Sequence, residues 1–259
     1  MSSIGTGYDL SVQTFSPAGR VFQIEYAQKA VDNSSTVIAL RGKDGVVFAA
    51  ENTIASKLHE AKTTRRVATI DRHIGLAYCG FVTDGRSVAN EARSYATRFR
   101  DLYGHPMPVS KLNDELSGYF HMLTLYGAAR PCGCSVLLGA YDAAKGPQMY
   151  MIEPSGVSWG YYGCALGKNK QPAHAEIEKL KLSEMTCKEL VKEAARIIYA
   201  THDESKDKDF ELELAWVCAD SNGQFEHVPE ELHKEAESFA QTSMEEDSDE
   251  EDDSDEDED

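Results

Sequence analysis

Twice along this chain a run of short β-patterned segments is followed by a pair of amphipathic helical ones, and that order constrains the fold more than any other feature. Residues 36–41 and 46–51 flank Gly42-Lys43-Asp44-Gly45, the pattern of a hairpin with a four-residue turn. Residues 66–70 and 74–80 read as a second hairpin. A helix is expected from Asp84, as its cap, to about Tyr103, with Val88, Ala92, Tyr95 and Phe99 on the buried stripe. Another follows Pro108, with Leu112, Leu116, Tyr119, Phe120 and Leu123 apolar. Strands return over 135–141, 148–153 and 157–165, separated by turns at Gly146-Pro147 and Pro154-Ser155-Gly156. Helices then follow over 169–181 and 187–202, the second opened by the capping-box pair Thr186 and Glu189. Phe210, Leu212, Leu214 and Trp216 alternate with Glu211 and Glu213, which reads as a half-buried strand with its glutamates in water. A last helix begins near Pro229. Hairpins joined to helix pairs imply an α+β chain of antiparallel sheets covered by helices. There is no β-α-β alternation and no phosphate-loop pattern, and Gly163 to Gly167 lacks the third glycine of a dinucleotide fingerprint.

Ahead of the first hairpin, residues 1–16 are small, polar and without periodicity. Ser16-Pro17-Ala18-Gly19 then leads into a short helical pattern over 20–31, with Val21, Ile24, Ala27, Gln28 and Val31 on one face and Phe22, Tyr26 and Ala30 on another. A helix of this length is marginal alone and has to dock on something larger.

The net charge of −18 looks extreme until it is located. Of the 44 acidic residues, 13 fall in positions 245–259, where the other two residues are serines; the remaining 31 face 26 basic ones. The body is therefore a mildly acidic globular domain, and there is no basic footprint for nucleic acid. Thirteen like charges in fifteen residues repel one another and bury no apolar surface, so the segment 244–259 is expected to be a disordered tail. No stretch approaches the ~20 apolar residues that a membrane helix needs, and the start MSSIGTGYDL lacks the basic and apolar regions of a secretory signal. The six cysteines form no CxxC pair and read as reduced core thiols of an intracellular chain. The eight histidines are scattered, with no metal-binding spacing, so neither metal nor cofactor is expected.

One segment is far more specific than these patterns. Tyr8-Asp9, then Phe15-Ser16-Pro17-Ala18-Gly19-Arg20-Val21-Phe22-Gln23-Ile24-Glu25-Tyr26-Ala27, then Ala30-Val31, resembles the N-terminal signature of the alpha subunits of the proteasome core particle. The resemblance extends over nearly the whole chain, through Gly80 to Arg86, Arg130-Pro131 and Pro154-Ser155-Gly156. Within the family it is most similar to the type-3 class, in its first ten residues, its stretch from Lys206 to Glu213 and its acidic tail. The family implies a four-layer α-β-β-α sandwich of two antiparallel sheets, the N-terminal-nucleophile hydrolase-like fold. It also implies three regions: residues 1–35 as gate segment and helix, 36–243 as the sandwich, and 244–259 as the tail. Partners implied are the other alpha subunits of a seven-membered ring, the proteolytic beta ring, and the regulatory ATPase particle and other activators. The compartments implied are cytoplasm and nucleus. Two departures stand out: Ala18 replaces a common acidic residue, and Leu10 replaces an arginine common in other alpha types.

Catalytic relatives use an N-terminal threonine whose own free amine assists the proton transfer. Here the corresponding stretch, Ser34-Ser35-Thr36, lies behind preceding chain, and an amide nitrogen cannot act as a base. The positions of the catalytic aspartate and lysine look like Glu51 and Arg66, and arginine cannot shuttle a proton. The resemblance therefore implies a non-catalytic frame. A self-processed hydrolase starting at Ser34, Ser35 or Thr36, and an acidic interaction protein working through its tail, are the alternatives.

The family also implies two site clusters. Tyr8, Asp9, Pro17 and Tyr26 match the cluster that holds a gate open. Gly19, Arg66, Phe81 and Val82 match the pocket that receives activator tails, with Arg66 in place of the usual lysine as the cation for a tail carboxylate. In the tail, Ser248 and Ser254 each precede an acidic residue at the third following position, the preference of acidophilic, casein-kinase-II-like kinases; Ser243 is a weaker third.

Overall fold

The computed structural model describes residues 7–142, 144–202 and 209–255, and of 245–255 the backbone alone. Its strands form two five-stranded sheets, every pairing antiparallel. The first contains β1 (Val37–Arg41), β2 (Gly45–Thr53), β8 (Gly163–Leu166), β9 (Phe210–Cys218) and β10 (Phe225–His227), in the order β10-β9-β2-β1-β8. The second contains β3 (Val67–Asp71), β4 (Ile74–Gly80), β5 (Cys134–Asp142), β6 (Gly146–Ile152) and β7 (Ser158–Gly160), in chain order. The two hairpins expected from the sequence are both present, one in each sheet.

Three apolar interfaces hold four layers together. Helices α4 (Lys170–Glu178), α5 (Cys187–Thr201) and α6 (Glu230–Asp255) cover the outer face of the first sheet through Ile177, Leu190, Ile197, Ala236 and Ala240, packed on Ile38, Leu40, Leu214 and Trp216. Helices α2 (Val82–Tyr103) and α3 (Val109–Met122) cover the second through Val88, Ala92, Leu112, Leu116 and Phe120. Between the sheets, Phe48 meets Phe225 edge-on with ring centroids 5.8 Å apart, among Val46, Leu137, Met149 and Val217. The fold is thus the expected four-layer α-β-β-α sandwich. Helix α1 (Phe22–Asp32) precedes β1 and is anchored by Val31, which enters the inter-sheet core.

Local signals survive where their partners are local. Thr186 and Glu189 form the capping box at the start of α5, each satisfying the other's backbone N–H. All six cysteines are free and buried, and no helix of the described residues is long and apolar enough to cross a membrane.

Three expectations need correction. The segment read as one strand over 157–165 is two strands in different sheets. Tyr161 N still donates to Met149 O (3.1 Å) in the second sheet, whereas Tyr162 O already accepts from Arg41 N (2.7 Å) in the first. The chain changes layers between these two residues, and alternation of apolar residues does not reveal that. Asp84 does not cap α2. The helix begins at Val82, and Asp84 sits in its first turn with its carboxylate bound to Arg130 and to Gly133 N. The alternation in β9 is not half-burial either: Glu213 is 9% exposed because β9 is flanked by β2 and lies between two layers. The backbone of α6 continues past residue 244 to Asp255. Glutamate is a strong helix former, and extending an existing helix avoids the cost of nucleation.

Phe48 is fully buried at the centre of the inter-sheet core, and Leu58 is 94% exposed. Phe48→Ala is expected to cost about 3–5 kcal/mol, and Leu58→Ala to stay within about 0.5 kcal/mol, measured as shifts of the urea midpoint. Equal shifts would remove the inter-sheet layer as a main source of stability.

Candidate functional site

The end of the sandwich where α1 runs into β1 holds a cluster of buried polar groups: Ser35, Thr36, Glu51, Asn52, Arg66 and Glu213. Residues 34–36 cross it. Glu51, on β2, is 1% exposed, and a carboxylate this deep needs compensation. Its Oε2 accepts from the Thr36 backbone N–H at 3.0 Å. Its Oε1 faces His202 Nδ1 at 3.0 Å and Lys168 Nζ at 3.7 Å. The Thr36 nitrogen is therefore an amide spent on Glu51, not a free amine. The Thr36 hydroxyl is buried without a hydrogen-bond partner among the described residues, so none of them stands beside it as a base. The arrangement lacks the amine and the lysine that threonine-nucleophile chemistry requires.

Arg66 is 9% exposed. Its Nη1 donates to Ser34 Oγ at 2.7 Å and to Ser35 O at 3.3 Å, and its Nε is buried and unpartnered among the described residues. Its backbone N donates to Glu213 Oε2 at 2.8 Å, which also accepts from Asn52 Nδ2 at 2.9 Å. Arg66 therefore turns inward and is engaged by its own chain, where the sequence suggested a cation facing an open pocket. Ser34 Oγ also lies 3.4 Å from Gly80 O, so Arg66 reaches the turn before α2 through one serine. Phe81 in that turn is 54% exposed, Val82 is half-buried, and Gly19 is exposed at φ +73°. The structure joins Arg66 to the Phe81–Val82 turn and shows no contact between Gly19 and either.

The N-terminal cluster is brought together in part. Tyr26 Oη donates to Asp9 Oδ2 at 3.3 Å, and Gln23 Nε2 donates to the Asp9 carbonyl. Burial first, then the charge of Asp9, push the Tyr26 phenol above its ordinary value, which keeps it a donor at neutral pH. Tyr8 is exposed. Pro17 occupies the second position of a turn closed by Gly19 N donating to Ser16 O (2.8 Å) and braced by Ser16 N donating to Arg20 O (2.9 Å). Glycine is needed at 19 because the backbone there is left-handed. Arg20 and Glu25 pair on the exposed face of α1. The side chains of Ser248 and Ser254 lie outside the described residues, as does the start of the gate segment, 1–6.

Sequence reasoning missed Ser34, Lys168, His202 and Glu213 as members of the buried network. Their partners are 32 to 161 residues away in the chain, and no local pattern encodes such distances. It also missed Gln23, although that residue lies within the N-terminal signature.

Comparison with known proteins agrees with this geometry. A family model described as "Proteasome subunit" matches residues 31–217, and a second, describing the N-terminal signature of the A-type proteasome subunits, matches residues 8–30. The chain is 55% identical over 247 residues to an alpha type-3 proteasome subunit of Acanthamoeba castellanii, covering 95% of this chain and 98% of the relative. It is 54% identical over 246 residues to the protein of that name in Arabidopsis thaliana, with the same coverage. It is 47% identical over 253 residues to a probable alpha type-7 proteasome subunit of Saccharomyces cerevisiae, covering 96% and 88%.

The buried network makes an asymmetric prediction. Glu51→Ala strips the acceptor from Thr36 N–H, the partner from His202 Nδ1 and the counter-charge from Lys168, and is expected to cost about 3–5 kcal/mol. Thr36→Val removes only an unpartnered hydroxyl and is expected to be neutral or stabilising within about 1 kcal/mol. Chemical denaturation of the two variants checks this; a large loss from Thr36→Val would mean that the hydroxyl has a structural partner.

Proposed function

The chain belongs to the proteasome subunit family as one of its alpha-type members, assembling with other proteasome subunits, and on that premise we propose that it is a non-catalytic gating and docking member of the outer ring. The carrying observation is the Thr36 amide bound to Glu51, with Arg66 occupying the lysine position and turned onto Ser34 and Ser35. A nitrogen committed in this way cannot serve a nucleophile, so the same positions act as structure. In this reading the chain contributes to ubiquitin-dependent and ubiquitin-independent degradation in cytoplasm and nucleus by controlling entry to the beta-ring chamber.

The gate is residues 1–9, tethered by Asp9 to Tyr26 and Gln23 on α1. A short polar segment fills a pore at little cost, and a few hydrogen bonds to a fixed helix hold it aside when the pore opens. Gly19, Phe81 and Val82 receive the tail of a regulatory ATPase particle or other activator. Arg66 sits behind that turn, held by Ser34 and the Ser35 carbonyl, and supports it from the interior. Ser248 and Ser254 are acceptors for an acidophilic kinase, each phosphate adding about −1.5 to −2 charges to the acidic end of α6.

Three outcomes test this reading. The isolated chain is expected to show no peptidase activity; turnover of a fluorogenic peptide that disappears in Thr36→Ala would overturn it. Core particles in which this chain carries Asp9→Ala or Tyr26→Phe are expected to assemble normally but respond less to activators, because one lost hydrogen bond of about 1 kcal/mol is enough to shift a gate equilibrium. Equal activation of variant and unmodified particles would remove the Asp9–Tyr26 bond from gating. Deleting residues 2–9 is expected to raise basal peptide hydrolysis, with an unchanged rate in normally assembled particles counting against occlusion by this segment.

A further inference from the structure

The turn before α2 exposes an aromatic ring in a fixed position, and a chain of hydrogen bonds fixes it. Asp84, in the first turn of α2, accepts two hydrogen bonds from the Arg130 guanidinium, Nη1 to Oδ2 at 2.6 Å and Nη2 to Oδ1 at 2.8 Å. Its Oδ2 also accepts from the backbone N of Gly133 at 2.9 Å. Gly133 O in turn accepts from Phe81 N at 2.8 Å. The carboxylate thus ties the start of α2 to the segment 130–133, and that segment ties back to Phe81. Arg130 holds the Asp84 carboxyl below its ordinary range, with the Gly133 amide adding to the effect, so the clasp is ionised at neutral pH.

The two strands meet here with no room to spare. A Cβ at Gly80 would lie 2.2 Å from Gly133 O, and one at Gly133 would lie 2.5 Å from the Phe81 ring. Gly80 also has φ +117°, a backbone state open in practice only to glycine. Phe81 therefore lies close against the bare backbone of Gly133, with more than half its surface in solvent. A lone exposed apolar side chain is unremarkable. An exposed ring seated on glycine backbone and locked by a bidentate ion pair is a preorganised contact.

We infer that Asp84 and Arg130 are positioning residues for docking at the Phe81–Val82 turn: they set the orientation in which Phe81 meets the C-terminal segment of a partner. The inference rests on the docking reading proposed above. Neither residue need touch the partner. Bidentate arginine–carboxylate geometry fixes direction as well as distance, and the Gly133 bond passes that direction to Phe81. The interior contact from Ser34 Oγ to Gly80 O fixes the other side of the same turn.

The test uses assembled core particles and a synthetic peptide ending in a free α-carboxylate and carrying a photo-crosslinker. Its C-terminally amidated twin is the control. The readout is the peptide concentration that half-saturates cross-linking to this chain, with incorporation of the chain into particles measured alongside. Asp84→Asn keeps an acceptor for Gly133 N but loses the ion pair, and Arg130→Gln removes the partner charge. Each is expected to raise the half-saturating concentration by about three- to tenfold, consistent with loss of a charge-assisted hydrogen bond transmitted in part. Maximal cross-linking is expected to stay unchanged. Arg130→Lys keeps the charge without the bidentate fork; it is expected to fall between unmodified particles and the other two variants, and it carries the test if those variants fail to assemble. Phe81→Ala separates the two levels of the argument. If Phe81→Ala weakens cross-linking while the Asp84 and Arg130 variants leave it unchanged, the clasp inference is overturned and docking at the turn stands. If Phe81→Ala also has no effect, or the amidated peptide binds equally well, the docking reading itself fails.

Discussion

A carboxylate buried as deeply as that of Glu51 has to be compensated before anything around it can fold, and its compensation organises this end of the molecule. The Thr36 amide, His202 and Lys168 come from the start of β1, the end of α5 and the loop after β8. One charge therefore draws together three elements that are distant in sequence. Glu213 repeats the device on the next strand, with Asn52 and the Arg66 backbone as donors. Burying such groups yields little net stability, but removing one partner leaves a charge uncompensated, so the network is specific more than it is strong. That specificity is what commits the Thr36 nitrogen. To free it as an amine, the chain before it would have to be cut and the Glu51 contact would have to change character.

Apolar packing supplies the stability that the polar end does not. The two outer interfaces each join helices to one sheet, and the inner interface joins sheet to sheet. Because both faces of both sheets are covered, strand burial is nearly continuous, as in β2 and β4, and not alternating. Val31 carries α1 into the inner interface, so the helix that bears Tyr26 and Gln23 is fixed to the most deeply buried layer. A tether built on that helix inherits the rigidity of the core.

The fold was largely legible because its signals are local. The Gly42–Gly45 turn, the capping box at Thr186 and the apolar stripe of α2 each depend on residues within a few positions. The polar sites were legible only in part. Asp84 has the chemistry of a helix cap, and local rules assign it that role, but the helix begins two residues earlier. Arg130, 46 residues away, competes for the same carboxylate and wins, because a bidentate charged pair is stronger than a single backbone bond. Arg66 reads as a surface cation from its neighbour Arg65, but Ser34 and the Ser35 carbonyl draw it inward. In β9, Glu211 and Glu213 look equivalent, and only the approach of Asn52 and Arg66 distinguishes them. The family signature put Asp9 and Tyr26 in one motif; the bond between them is a property of how α1 sits, which no spacing rule supplies.

Ser34 links the parts that the proposed function has to couple. It follows α1 by two residues, and its hydroxyl lies between the Arg66 guanidinium and the Gly80 carbonyl. Cys79, beside Gly80, directs its thiol at the carbonyls of Val31 and Ser35, which adds a second contact between the end of α1 and the end of β4. The Phe81 turn, the buried cation and the gate helix are thus separated by single contacts and not by a long relay. Coupling through such a path requires an element with two arrangements, and proximity alone does not create one. The inner part of this path is buried and closely paired, which disfavours a second arrangement there. A contact at Phe81 would therefore meet a closely paired interior, joined to the end of α1 through Ser34 and Cys79.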